Sequence, residues 1–300
     1  MKKGLKTAIK VVVSFALIGY LVWKLGPLQL LKVMSGFKLW LLPIVLAIFV
    51  LNSFFGGLNI QLMLLAFKKK LPYFKTLGLF LRAWAYGLFL PSKLGEFSLI
   101  VFLKKEGVEY SQGLIISLID KLITLFVLFA LSFAGIAKLI GLKNALIAGS
   151  VLIGLALIGA SFLFSEIGKK IIKRLAFRWL HEVLSGFTKN LVFLLKKRKR
   201  FLLLNAGVTL IKWLLVVVMV QVILIGLGVH VNFFSIMIAV TLGILASLVP
   251  VSISGLGVTE NVAVEVFSYY GVPSIPAGSA MLLVAIIKYL QALIILWIYQ

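Results

Sequence analysis

Cysteine is absent from the 300 residues, only two histidines occur, and carboxylate side chains number eight. Without cysteine there is no disulfide framework and no thiolate metal site, and His181 and His230 stand apart without a second ligand at metal spacing. No metal is expected. The patterns G-x-x-x-x-G-K-[ST] and G-x-S-x-G are missing, as is any His-rich or Asp-rich cluster, so hydrolytic power and familiar covalent catalysis lack their parts. No cofactor is implied either. Negative charge is scarce: 31 Lys and Arg face 8 Asp and Glu, a net charge of +23. A soluble nucleic-acid binder carries such charge on a polar surface, whereas here it punctuates apolar runs of membrane-spanning length. Nucleic acid is therefore not an expected partner.

What the chain does have is apolar surface, at 62% hydrophobic residues and a mean hydropathy of +1.17. Soluble domains hold roughly 45–50% apolar residues. The chain is read as one all-α, polytopic integral membrane domain over 1–300. Its first residues have the basic end and apolar centre of a signal peptide but no A-x-A-like cleavage site, and they are taken as an uncleaved first span. Six stretches reach the ~20 residues a crossing needs: about 7–24, 39–67, 111–139, 144–165, 201–228 and 274–299. Two more, 73–103 and 231–269, are interrupted and are expected to be re-entrant helical hairpins with tips inside protein.

Basic residues orient this layout. With a cytoplasmic N-terminus, the inside segments hold 21 Lys and Arg and the outside ones 5, as cytoplasmic loops require. Both termini are expected inside, in a cell (inner or cytoplasmic) membrane. The most basic segment, 166–200, places Ile172, Leu175, Trp179 and Val183 on one helical face and Lys169, Lys170, Lys173, Arg174 and Arg178 elsewhere. Such a helix suits the membrane surface.

The interruptions resemble each other: LPSKLGE (90–96) and VPVSISGLGVTE (249–260) both carry a Pro, Pro91 or Pro250, ahead of a Gly and a Glu. Gly95 and Glu96 in the first match Gly257 and Glu260 in the second, and Gly107-Val108 or Gly271-Val272 follows eleven residues after the Glu. A long span with a basic residue, Lys121 or Lys288, comes next. Duplication explains the equal spacing, with a first repeat at about 39–139 and a second at about 201–299. Three intervening spans would invert them, the arrangement of transporters whose substrate sits at the repeat interface.

Each break precedes a half-helix whose N–H groups and positive dipole end suit a phosphate. Gly95, Gly255 and Gly257 allow tight turns and close approach. Lys93 lies beside the first tip as a point charge. Arg82, Asp120, Lys121, Lys212, Glu265 and Lys288 are further ionisable residues at poorly solvated depth. They either pair among themselves, as Asp120 or Glu260 with Lys288, or they serve a substrate path.

LPSKLGE with Arg82 upstream, IDKL (119–122), PVSISGLGVTE (250–260) and a basic residue in the last span together resemble the lysylphosphatidylglycerol synthase transmembrane family, which includes MprF-type flippase domains. Ser254 stands where the pattern has a glycine, Thr259 where a basic residue often precedes the glutamate, Asp120-Lys121 where Glu-Arg is usual, and Lys288 where Arg is common. Charge type is kept, but bidentate Arg recognition is lost. The resemblance implies movement of a lipid between leaflets, by a stand-alone member lacking the soluble synthase domain. The partners implied are membrane lipids, an anionic phospholipid or a polyprenyl-phosphate-linked lipid, and a homo-oligomer is compatible with it. The expected substrate-binding residues are Arg82, Lys93, Glu96, Lys121, Glu260 and Lys288, with Pro91, Gly95, Asp120, Pro250, Gly255 and Gly257 structural or coupling. The alternative is a membrane transferase acting on a lipid carrier with Glu96 or Glu260 as base.

Overall fold

The structure, a computed structural model, describes residues 3–89, 95, 97–151, 154, 186–249 and 251–299. Pro91, Lys93, Glu96, Pro250, His181, most of the expected span at 144–165 and residues 166–185 of the basic segment lie outside the described residues. The described residues are helical and contain no strand. In hydrocarbon every backbone polar group must be satisfied within the protein, and helices do this locally.

The chain opens with α1 (Lys3–Leu25) and α2 (Pro27–Ser35), which meet at an 82° bend. Gly26 at φ 82 makes the corner, and Pro27 sits inside the first turn of α2, where its missing N–H costs nothing. Four helices follow: α3 (Leu42–Ala66), α4 (Tyr73–Phe89), α5 (Ser98–Lys105) and α6 (Tyr110–Ile140). Beyond the undescribed segment come α7 (Phe187–Lys197), α8 (Lys199–Gly226), α9 (Phe233–Ala246), α10 (Val258–Tyr269) and α11 (Ser274–Ile298). Among the described residues four helices are long and apolar enough to cross a membrane, namely α6, α8, α11 and α3 with its leading turn from Leu39. The bent α1–α2 pair is a fifth if counted as one span. These coincide with the expected spans at 39–67, 111–139, 201–228 and 274–299, and the expected first span, 7–24, falls within the 23 residues of α1. The 8, 14 and 12 residues of α5, α9 and α10 reach about 12–21 Å at 1.5 Å per residue, short of a ~30 Å core.

The blocks α3–α6 and α8–α11 share one order: long helix, short helix, break, short helix, long helix. Their turns match as well. Gly107 (φ 77) ends α5 and Gly271 (φ 76) ends α10, and the next N–H, of Val108 or Val272, donates to Leu103 or Phe267. This left-handed termination is nearly strain-free for glycine alone. Packing is reciprocal: α3 lies along α8, α9 packs on α6, and α4 packs on α11. An apolar core around Leu103, Ile115, Ile116 and Leu194 holds the first block and α7 together. Another, around Leu21, Val220, Ile236 and Phe267, unites α1 with the second block. Phe187, Leu191 and Leu194 form the buried stripe of α7, while Lys189 and Lys196 stay outside it. Buried amides also tie the blocks, with Asn59 donating to Thr209 at 2.9 Å and Asn205 to the Asn59 carbonyl at 3.1 Å.

Candidate functional site

A cavity of about 210 Å³ lies between the two blocks. Its polar wall comes from α6, where Ser117, Asp120, Lys121 and Thr124 all line it. Their spacing of three, four and seven residues puts them on one helical face. Lys212 and Trp213 of α8 face them, with Asn52 of α3 and the apolar side chains of Phe80, Trp84 and Ile244 completing the lining. Asn52 donates to the Lys212 carbonyl at 2.6 Å, which fixes α3 against α8 beside the cavity. Lys212 lies mid-helix in α8 and Asp120 well inside α6, so the charges sit away from helix ends.

Asp120 is only 5% exposed. Its Oδ2 lies 3.7 Å from the Lys121 ammonium, and its Oδ1 is buried with no hydrogen-bond partner among the described residues. Ser117 Oγ, Thr124 Oγ1 and Trp213 Nε1 are likewise buried and unpartnered. An unmade bond at such depth costs about 1–3 kcal/mol per group. Four such atoms, unpartnered among the described residues, belong to side chains that line one cavity.

The second break is held differently. Gly255 and Gly257 adopt φ 80 and φ 83, and Ser254 adopts φ 49, so the serine standing in the pattern's glycine position occupies a left-handed conformation. A Cβ on Gly257 would lie 2.4 Å from Leu17 Cβ, and one on Gly255 2.2 Å from Ser247 Cβ. Helix α1 therefore presses on the turn. Ser14 Oγ accepts from the Ile253 N–H at 2.7 Å, and Asn261 donates to the Leu17 carbonyl at 3.0 Å. Glu260, 2% exposed, turns back to accept from the Gly257 N–H at 2.7 Å. That contact is the glutamate half of a capping box and places negative charge at the positive end of α10.

Of the residues expected at a site, Asp120 and Lys121 line the cavity, joined there by Lys212. Glu260 does not line it and lies instead at the N-terminus of α10. Lys288, half-buried on α11, is near enough to Glu260 for their charges to interact, with its ammonium over the Tyr289 ring at 5.2 Å. Arg82 is separate again, its guanidinium 4.9 Å from the Tyr299 ring centre and 5.2 Å from that of Phe102. Two aromatic faces stabilise a cation where water is sparse. Gly95 is buried against α4, where a Cβ would meet the Tyr86 carbonyl oxygen at 2.3 Å. Glu265 pairs with Lys24 across α10 and α1.

Sequence reasoning overlooked Ser14, Asn52, Ser117, Thr124 and Trp213. The face formed by Ser117, Asp120, Lys121 and Thr124 was available from helical periodicity in an otherwise apolar span. The partnership of Ser14 with residue 253 had no local signal. Among the described residues no group of three or more His, Asp or Glu could hold a metal ion.

Residues 7–295 match the family described as Lysylphosphatidylglycerol synthase TM region. No curated protein matches the chain at a significant level. With nearly its whole length matched, the chain belongs to that family, which ties it to membrane lipid.

Proposed function

We propose that this member of the lysylphosphatidylglycerol synthase transmembrane family is a lipid translocase, moving an anionic or phosphate-linked lipid between leaflets. The headgroup passes through the polar cavity between the two blocks, and the acyl or prenyl tails stay in lipid. The observation that carries this reading is the cavity wall itself. Asp120, Lys121 and Lys212 border a polar space between helices of spanning length, where a charged side chain is expensive and persists for a function. The two blocks act as inverted repeats about this space, and alternating access is a rocking of one against the other. Both termini face the cytoplasm in this reading. Arg82, Lys93, Glu96, Lys121 and Lys288 are the substrate-binding residues of this reading, and Glu260 supports it by holding the second half-helix in place.

Purified protein in liposomes tests this. It should redistribute a labelled anionic lipid between leaflets without changing the lipid's mass. A new, donor-dependent product without redistribution would instead establish a transferase. Arg82→Gln and Lys93→Gln should each fold normally and nearly abolish transport, since removing one partner of a buried charge contact costs about 2–5 kcal/mol. Wild-type transport by both would move the phosphate contact to Lys121 and Lys288.

A further inference from the structure

We infer that the end of the bundle covered by α7 is a docking surface for the phosphate layer of an anionic leaflet, a place where lipid is held and not moved. The inference stands apart from the translocase reading, because a chain that moved no lipid would still bind this surface. Three contacts join the elements of this end. Asn190 of α7 donates to Ser111 at the start of α6 at 2.9 Å, the Phe193 ring stacks on Phe67 just past α3 with centroids 6.4 Å apart, and the Lys69 ammonium donates to the Gly107 carbonyl at 3.2 Å. Helix α7 therefore lies across the starts of α6 and α8 and the end of α3. Its stripe of Phe187, Leu191 and Leu194 is buried, while Lys189 and Lys196, seven residues apart, share the opposite face. Lys197, Lys199 and Arg200 continue the charge into α8, and Lys68 and Lys70 carry it into the α3–α4 turn, all of them exposed. Among the described residues the carboxylates of this end are Glu106, paired with Lys75, and Glu109, which accepts from Asn190 at 3.4 Å.

The α3–α4 turn carries its charge at a conformational cost. It has the hydrogen bonds of the α8–α9 turn: the Lys68 and Lys69 N–H groups donate to Leu65 and Leu64 in one, those of Gly228 and Val229 to Ile225 and Leu224 in the other. Helices α3 and α8 run antiparallel, since Asn52 bonds to Lys212 and Asn59 to Thr209, so the two turns lie at opposite ends of the bundle. Gly228 takes φ 81 and Lys68 takes φ 58, a conformation strained for lysine and open to glycine. A signal for orientation needs basic residues near the end of a span, not at the strained position of a turn. Exposed apolar side chains stand beside these charges, Val192 and Leu195 on α7 and Leu65 ahead of Lys68. An acidic protein would answer only the charge, whereas a leaflet offers phosphates to the lysines and acyl chains to the apolar side chains. Because α3 is of spanning length, Lys68 and Lys70 fall just beyond its end, at the level of the headgroups.

The test titrates phosphatidic acid into phosphatidylcholine nanodiscs that hold the purified full chain and reads the apparent affinity. Lys68→Gly should weaken binding by about fivefold, the effect of one lysine at an anionic surface. The same change should hold or raise the melting temperature, because glycine fits the turn. A lysine with only a structural role would not give that split. Lys189→Gln combined with Lys196→Gln and Lys197→Gln, all on the exposed side of α7, should weaken binding at least about tenfold. Lys32→Gln with Lys38→Gln is the control, since Lys38 bonds to Gly226 at the opposite end, and this pair should bind as the wild type does. Glycerol 3-phosphate in solution should not compete, because the lipid is held by its chains as well as its phosphate. Competition by it would assign the face to a soluble phosphate and overturn the inference. Wild-type affinity in both the Lys68 and the α7 variants, an equal loss in the control pair, or tighter binding of soluble polyglutamate than of the lipid would also overturn it. None of the substituted side chains lines the cavity, so transport that persists without this binding leaves the translocase standing, and binding without transport leaves the docking surface standing.

Discussion

Asp120 and Glu260 are two carboxylates buried to nearly the same extent, at 5% and 2% exposure, and they meet different surroundings. Glu260 is engaged by its own helix, accepting the Gly257 N–H in a turn that α1 braces. Asp120 keeps an oxygen without a partner among the described residues, on the wall of a cavity shared by the two blocks. Burial alone therefore does not distinguish the surroundings of the two charges. What the oxygens touch separates a carboxylate tied into its own helix from one that borders a cavity.

The comparison breaks most completely if the turn that occupies Glu260 is disrupted. Gly257→Val adds a side chain at φ 83 whose Cβ falls 2.4 Å from Leu17 Cβ and 3.1 Å from the Ser14 carbonyl oxygen. Left-handed strain and overpacking together cost about 2–5 kcal/mol, a large share of a typical stability of 5–15 kcal/mol. Loss of monodisperse protein or a steep fall in melting temperature in detergent is expected, and a wild-type melting curve would contradict the geometry.

A smaller effect sharpens the same contrast. Glu260→Ala leaves the Gly257 N–H unsatisfied and should destabilise the fold by about 1–3 kcal/mol, while Glu260→Gln keeps an acceptor and should cost less. Asp120→Ala removes the carboxylate that lies 3.7 Å from the Lys121 ammonium but leaves no backbone N–H unsatisfied, and should cost less stability than Glu260→Ala. If the two alanine variants lose stability equally, the two carboxylates do not differ in role. The smallest effect is expected of Ser14→Ala, which removes the acceptor of the Ile253 N–H at a cost of about 1 kcal/mol. Hydrogen exchange should quicken at residues 251–257 and stay at the wild-type rate in α6. Faster exchange across the whole chain would mean that α1 braces more than the turn.

Much of this architecture was legible. The Gly-Val pairs at 107–108 and 271–272, which marked the two repeats in the sequence, each close a short helix at a left-handed glycine. The broken apolar runs foretold helices too short to cross. Resemblance to the family marked position 254 as one for glycine, and Ser254 does adopt a positive φ. Other features had no readable signal. Lys212 was one of several ionisable residues placed at poorly solvated depth, and α8 carries it to the wall opposite α6. Arg82, expected among the substrate-binding residues, rests on the rings of Phe102 in α5 and of Tyr299.

The sequence by itself determined that this protein is a bundle of helices in lipid, interrupted twice at comparable places. In hydrocarbon each helix must satisfy its backbone alone, so length and apolarity report it directly. Tertiary structure decided which polar groups meet. Periodicity names the face a side chain occupies, but the neighbour across that face depends on how helices distant in sequence pack. Only that packing set Glu260 at the N-terminus of α10 under α1 and brought Asp120 to a cavity with Lys212 and Trp213.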